Sequence, residues 1–262
     1  MDMALIRLLC VCSMLIISGC ASKPEPKNNS EATPAGQAYV DERDPLEAIN
    51  RPIWDFNYDL LDKYVLRPAT VGYMTVVPKP AREGLVNAAD NLSEPGSFVN
   101  GVLQAKPSSA AVSAGRFLVN STLGLFGLFD VASHIGLAER QEDFGQTLAV
   151  WGVGDGAYLM IPAMGPNTVR DATGRVVDNL YFPLALLNTP ASIIRSAIGA
   201  LDAREQAMSM ENLLEESLDP YAFVKEAYYQ RLEFKIYDGN PPKPAEPEVD
   251  EAELDDLLDG LE

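Results

Sequence analysis

Leu46, Ile49, Ile53, Phe56, Leu60 and Tyr64 recur at intervals of three and four, so they line one face of a helix. Ahead of them, Asp44-Pro45-Leu46-Glu47 has the form of a capping box with proline in the first turn, and Pro52 is expected to kink the helix. The same start signal returns at Thr189-Pro190 and Asp219-Pro220, each opening a long helical stretch. Shorter helices are expected at 80–92, 94–105, 107–123 and 168–180. Alternation is scarce: the best strand is Ala157 to Ile161, behind the glycine-rich turn Gly152 to Gly156. The pattern predicts one mainly α domain over 44–237.

Three runs in this domain carry no charge: Phe117 to Phe129, Gly156 to Val169 and Asn179 to Ile194, of 13, 14 and 16 residues. A spanning helix needs about 20 apolar residues, and these are shorter and broken by Gly, Pro and Asn, so none should span a bilayer. Each suits a buried core, a re-entrant element or an interfacial one. Periodicity does not choose between these.

The ends are of a different kind. Arg7, the apolar run Leu8 to Ile17 and the small residues before Cys20 form a secretory signal over 1–19. Ile17-Ser18-Gly19-Cys20 resembles the bacterial lipobox, which makes Cys20 the lipidated first residue of the mature chain. Of the three cysteines, Cys10 and Cys12 fall in the removed segment, so Cys20 keeps no disulfide partner. Several acyl chains, at about 0.8 kcal/mol per buried methylene, make a lasting anchor. By the usual sorting rule, Ala21 in place of aspartate favours the outer membrane. Residues 20–43 read as a flexible tether.

Net charge is −18, half of it in the tail 238–262. That tail is either a solvated end or a partner-binding segment, since Leu254, Leu257, Leu258 and Leu261 keep helical spacing. Charge and compartment exclude nucleic acid.

Lipid hydrolysis would need a G-x-S-x-G elbow and a histidine; no elbow occurs, and the one histidine, His134, reads as a buried or capping residue. No H-E-x-x-H or cysteine pair offers a metal site, and Asp143-Phe144-Gly145 lacks any accompanying kinase motif. No enzyme, metal or cofactor is implied.

Several blocks together resemble the MlaA (VacJ) lipoprotein family. They are Asp44-Pro45-Leu46-Glu47 with Asn50-Arg51, Asp90 to Pro95, Arg116 to Gly124 running into Gly127 to Ala132, Asp143 to Leu148, Trp151 to Gly154, Gly165-Pro166 with Arg170-Asp171, and Asp219-Pro220-Tyr221. The resemblance implies a mainly helical, ring-shaped body in the inner leaflet of the outer membrane, with an amphipathic channel. It also implies transfer of stray outer-leaflet phospholipid to a soluble periplasmic carrier, and association with trimeric porins. A structural lipoprotein without a lipid path is the alternative. On this reading Phe126, Phe129, Tyr158, Met160 and Met164 are candidates for acyl-chain contact. Gly124, Gly127, Gly145 and Gly165 are candidates for close backbone packing. Arg170 either meets a head-group phosphate or pairs with an acid such as Asp171 or Asp178, and Asp130 either caps a turn or polarises the channel wall.

Overall fold

A computed structural model describes residues 41–242. The signal, Cys20, the tether up to residue 40 and the tail from Lys243 lie outside the described residues. Helix α1 (Glu47–Asp55) continues through a π-helical stretch (Phe56–Leu66) into α2 (Arg67–Val76). Then follow α3 (Lys79–Asn91), α4 (Glu94–Leu103), α5 (Pro107–Thr122), the short α6 (Val131–His134) and α7 (Phe144–Val150). A hairpin of β1 (Tyr158–Ile161) and β2 (Gly165–Thr168) leads into α8 (Val169–Asp178). The chain ends with α9 (Thr189–Ala207), α10 (Glu211–Glu215) and α11 (Pro220–Ile236). The protein is mainly helical.

The four shorter helices expected from sequence form within two residues of their expected ends. Asp219 caps α11, accepting from the Ala222 N–H at 3.2 Å. Two start signals act differently. Asn188, not Thr189, caps α9, accepting from Ala191 N–H at 3.0 Å. Asp44 caps nothing: α1 starts after Leu46 with no side-chain cap. The Asp44 carboxylate instead accepts from Asn50 Nδ2 at 2.8 Å, the Tyr221 hydroxyl at 2.5 Å and Lys225 Nζ at 3.3 Å. Charged and buried donors from α11 outcompete a helix N–H for the same oxygens. Residues 41–43 are also built in, since Asp41 is buried against Lys225 at 2.8 Å and the Arg43 carbonyl accepts from Tyr158 N–H at 3.0 Å. Asp41 to Arg43 thus pack against the helical body.

Packing centres on tyrosines. Tyr158 and Met160 of β1 meet Tyr221, Tyr229 and Leu232 of α11, with Ile53, Trp54 and Tyr228 packed around them. Tyr158 stands edge-on to Tyr221 with ring centroids 6.2 Å apart. Of the long apolar face expected on α1, only Ile53 packs on this core; Leu46 is half-buried, and Ile49, Phe56, Leu60 and Tyr64 are exposed. From Phe56 the helix takes the wider π-type hydrogen bonding, which changes the angular step per residue and rotates the later positions out of register.

Elsewhere the usual distribution is reversed. Among the described residues only 7 apolar side chains are buried, against 20 polar or charged ones, while 34 large apolar side chains are exposed. Polar groups inside and apolar groups outside are the opposite of what water selects. The uncharged runs divide accordingly: Gly156 to Val169 supplies the tyrosine core, whereas the other two expose Leu118, Leu123, Phe126, Leu180, Leu186 and Ile193. No described helix is long and apolar enough to cross a membrane.

Candidate functional site

Most of the polar interior is hydrogen-bonded, as burial requires, although Ser113 Oγ, the Tyr158 hydroxyl and the Asn167 amide have no partner among the described residues. Arg116 of α5 pairs with Glu94 of α4 at 2.5 Å, both side chains 4% exposed, and donates to Ser133 Oγ at 2.9 Å and the Leu137 carbonyl at 2.8 Å. Burial disfavours the Arg116 charge, but Glu94 and Asp130 outweigh it and hold the guanidinium above its usual range. Asp130 caps α6 through Ser133 N–H at 3.2 Å and accepts from Asn120 Nδ2 at 2.9 Å. Burial alone would raise its carboxyl; the bonds from Ser133 and Asn120 and the nearby Arg116 hold it low instead. His134 is exposed and bonds the Asp130 carbonyl through Nδ1 at 2.9 Å.

Asn120 shapes the segment that follows. Its side chain bonds Asp130 and accepts from Ala132 N–H at 2.9 Å, and its carbonyl accepts from Gly127 N–H at 2.8 Å. The loop between is forced into a tight reversal in which Leu125, Phe126 and Gly127 all have positive φ, at 52°, 59° and 93°. A Cβ on Gly124 would lie 2.2 Å from the Phe129 carbonyl oxygen, and one on Gly127 would lie 2.6 Å from Asn91 Cβ. The reversal throws Phe126 and Phe129 outward, 85% and 59% exposed.

A cavity of about 400 Å³ opens between α3, α4, α8 and α9. Asp90, Ser93, Arg175, Asp178 and Arg195 face it with Met164, from the hairpin tip. Asp178 is held by Asn100 Nδ2 at 2.9 Å and Phe144 N–H at 3.1 Å. Arg195 donates to Ser93 Oγ at 2.7 Å and Ala89 O at 3.4 Å. Burial draws its guanidinium below its usual range, and the opposite charge it feels is that of Asp90. Burial is also the chief reason that the Asp90 carboxyl is pushed up to about 6, with Glu139 adding to it and Arg195 opposing it.

Three sequence-based site assignments need correction. Tyr158 and Met160 are 0% and 3% exposed, packed within the tyrosine core rather than on a surface open to acyl chains. Arg170 takes its ion-pair alternative, but with Asp155 at 2.5 Å rather than with Asp171 or Asp178, and donates to the Val153 carbonyl at 3.1 Å; it does not line the cavity. Gly165 has open space around it and is needed for its φ of 80°, not for packing. By contrast, a Cβ on Gly145 would sit 2.8 Å from Asp171 Oδ1, where α7 crosses α8. Arg195 escaped notice in the sequence, although it is the first charge after the run ending at Ile194, as Arg170 is the first after Val169.

A charged, hydrogen-bonded interior with a polar cavity, dressed outside in apolar side chains, defines a class: helical proteins suited to handling amphipathic molecules in apolar surroundings. The chain belongs to the MlaA lipoprotein family, whose model matches residues 42–235. It is 38% identical over 231 residues to the intermembrane phospholipid transport system lipoprotein MlaA of Haemophilus influenzae, covering 87% of this chain and 88% of that protein. The protein of the same name in Escherichia coli K12 is 41% identical over 222 residues, 82% of this chain and 87% of that one. A solved structure described as the structural basis for maintenance of bacterial outer membrane lipid asymmetry matches with a TM-score of 0.70. Its identity is 40%, over 75% of this chain and 99% of that chain.

Proposed function

We propose that this protein is a non-enzymatic phospholipid conduit that maintains outer-membrane lipid asymmetry. It is held by lipidated Cys20 on the periplasmic face of the outer membrane, with its body in the inner leaflet beside trimeric porins. It takes mislocalised phospholipid from the outer leaflet and releases it to a soluble periplasmic carrier. The observation that carries this reading is the reversal of polarity between inside and outside. A phospholipid passing to water must shield acyl chains worth about 0.8 kcal/mol per methylene while its head group stays solvated or bound. The cavity flanked by Arg195, Asp90 and Met164 offers a polar lane with an apolar edge, and the exposed Phe126 and Phe129 give the body an apolar foothold. The names and the lipid-asymmetry context of the relatives support the same reading.

The test is lipid analysis of the detergent-purified protein together with outer-leaflet phospholipid in a deletion strain. Co-purified phospholipid and a rise at the cell surface are expected. A lipid-free protein and an unchanged surface would instead identify a structural lipoprotein.

A further inference from the structure

The cavity holds two opposite charges that the fold leaves unneutralised by direct contact. Arg195 is ion-paired with no carboxylate among the described residues; its guanidinium is fixed by Ser93 Oγ at 2.7 Å and aimed with Arg175 at the same space. Asp90 accepts no side-chain hydrogen bond from any described residue and faces that space from α3. The other acids near it are engaged: Glu142 with Lys106 at 3.2 Å, Asp143 with Lys235 at 2.5 Å, and Asp178 with Asn100 and Phe144. Partly buried charges without partners are costly, and a ligand that supplies both partners removes both costs at once.

Resting on the phospholipid reading above, we propose that this cavity selects zwitterionic phosphoethanolamine head groups, with Arg195 and Ser93 on the phosphate and Asp90 on the ammonium. A guanidinium braced by a hydroxyl suits phosphate oxygens, and a carboxylate across a space of about 400 Å³ suits the primary ammonium that follows the phosphate in such a head group. A glycerol head group would satisfy Arg195 and leave Asp90 facing a neutral diol. One partly screened ion pair is worth about a fivefold preference.

The experiment offers the purified full-length protein in detergent to vesicles of equal phosphatidylethanolamine and phosphatidylglycerol, then measures retained lipid by mass spectrometry. The native protein should be enriched about fivefold in phosphatidylethanolamine. Asp90→Asn should lose the enrichment, its phosphatidylethanolamine retention falling to the level of phosphatidylglycerol, and Arg195→Gln should lose both lipids. Millimolar inorganic phosphate should leave both the ratio and the total of retained lipid unchanged. A native ratio equal to that offered, or an enrichment that survives Asp90→Asn with the variant's melting temperature intact, overturns the proposal. So does phosphate that displaces both lipids alike, which would make this a plain anion site. A native protein that captures no lipid fails the phospholipid reading itself, a separate result. Should Asp90→Asn misfold, Asp90→Glu must keep the preference and Ser93→Ala must weaken retention of both lipids.

Discussion

Gly124 and Asp90 carry the sharpest consequences at the scale of single residues. Alanine at Gly124 would put its Cβ against backbone oxygens of Phe129 and Asn120, at 2.2 and 2.6 Å, and backbone has nowhere to yield. Gly124→Ala should therefore cost about 2 kcal/mol or more in thermal or denaturant melts. Gly72→Ala, in open space within α2, should stay within about 1 kcal/mol and be stabilising if anything. Asp90 makes a pH prediction. Its carboxyl rises from 3.8 to about 6 on folding, among Arg195 and Asp202 of α9, Glu94 of α4 and Glu139. Between those values the folded state holds the proton more firmly than the unfolded one, so this group's contribution to stability falls as pH rises through the window and levels off above it. Asparagine does not titrate. The melting temperature of Asp90→Asn should gain on the native protein between pH 4 and 6, and a difference that stays flat would show that Asp90 is not desolvated.

The elements explain which apolar residues were readable. Helix α5 and its outgoing loop are fixed by Arg116 and Asn120, so the loop's phenylalanines are displayed without holding the fold together. Replacing Phe126 and Phe129 by serine should change the stability of detergent-solubilised protein by no more than about 0.5 kcal/mol. In a Cys20→Ser background the same pair should abolish flotation with phospholipid vesicles. Continued flotation would move the foothold to other exposed residues, such as Leu180 and Leu186. The spacing of α3, α4, α5 and α8 was legible because caps, prolines and periodicity are local. Helix α7 was missed, although Asp143 and Gln146 form a reciprocal capping box there; the stretch is only 7 residues and shows little periodicity.

For the whole molecule, the proposed anchor and the proposed embedding can be tested apart. Cys20→Ala should remove the acyl mass seen by mass spectrometry and lower the share of protein in the outer-membrane fraction. Full retention there would mean that the apolar exterior suffices by itself. The body is acidic overall, which gives no attraction to anionic lipid, so adsorption of the unlipidated protein should depend little on salt.

What the sequence determined by itself is local or compositional: the signal and lipobox pattern, the helical class, most helix ends, and the ordered blocks that mark the family. Hydrogen bonds across a few residues and short spacings encode these. Only the tertiary structure decided the partners of the charges. Asp44 leaves a helix start for Lys225 and Tyr221, Arg170 turns to Asp155, and Arg195 is left facing Asp90 across a cavity. Which side of an apolar run meets protein and which stays bare was settled in the same way, because burial depends on elements distant in the chain, and periodicity within one helix carries no record of what packs against it.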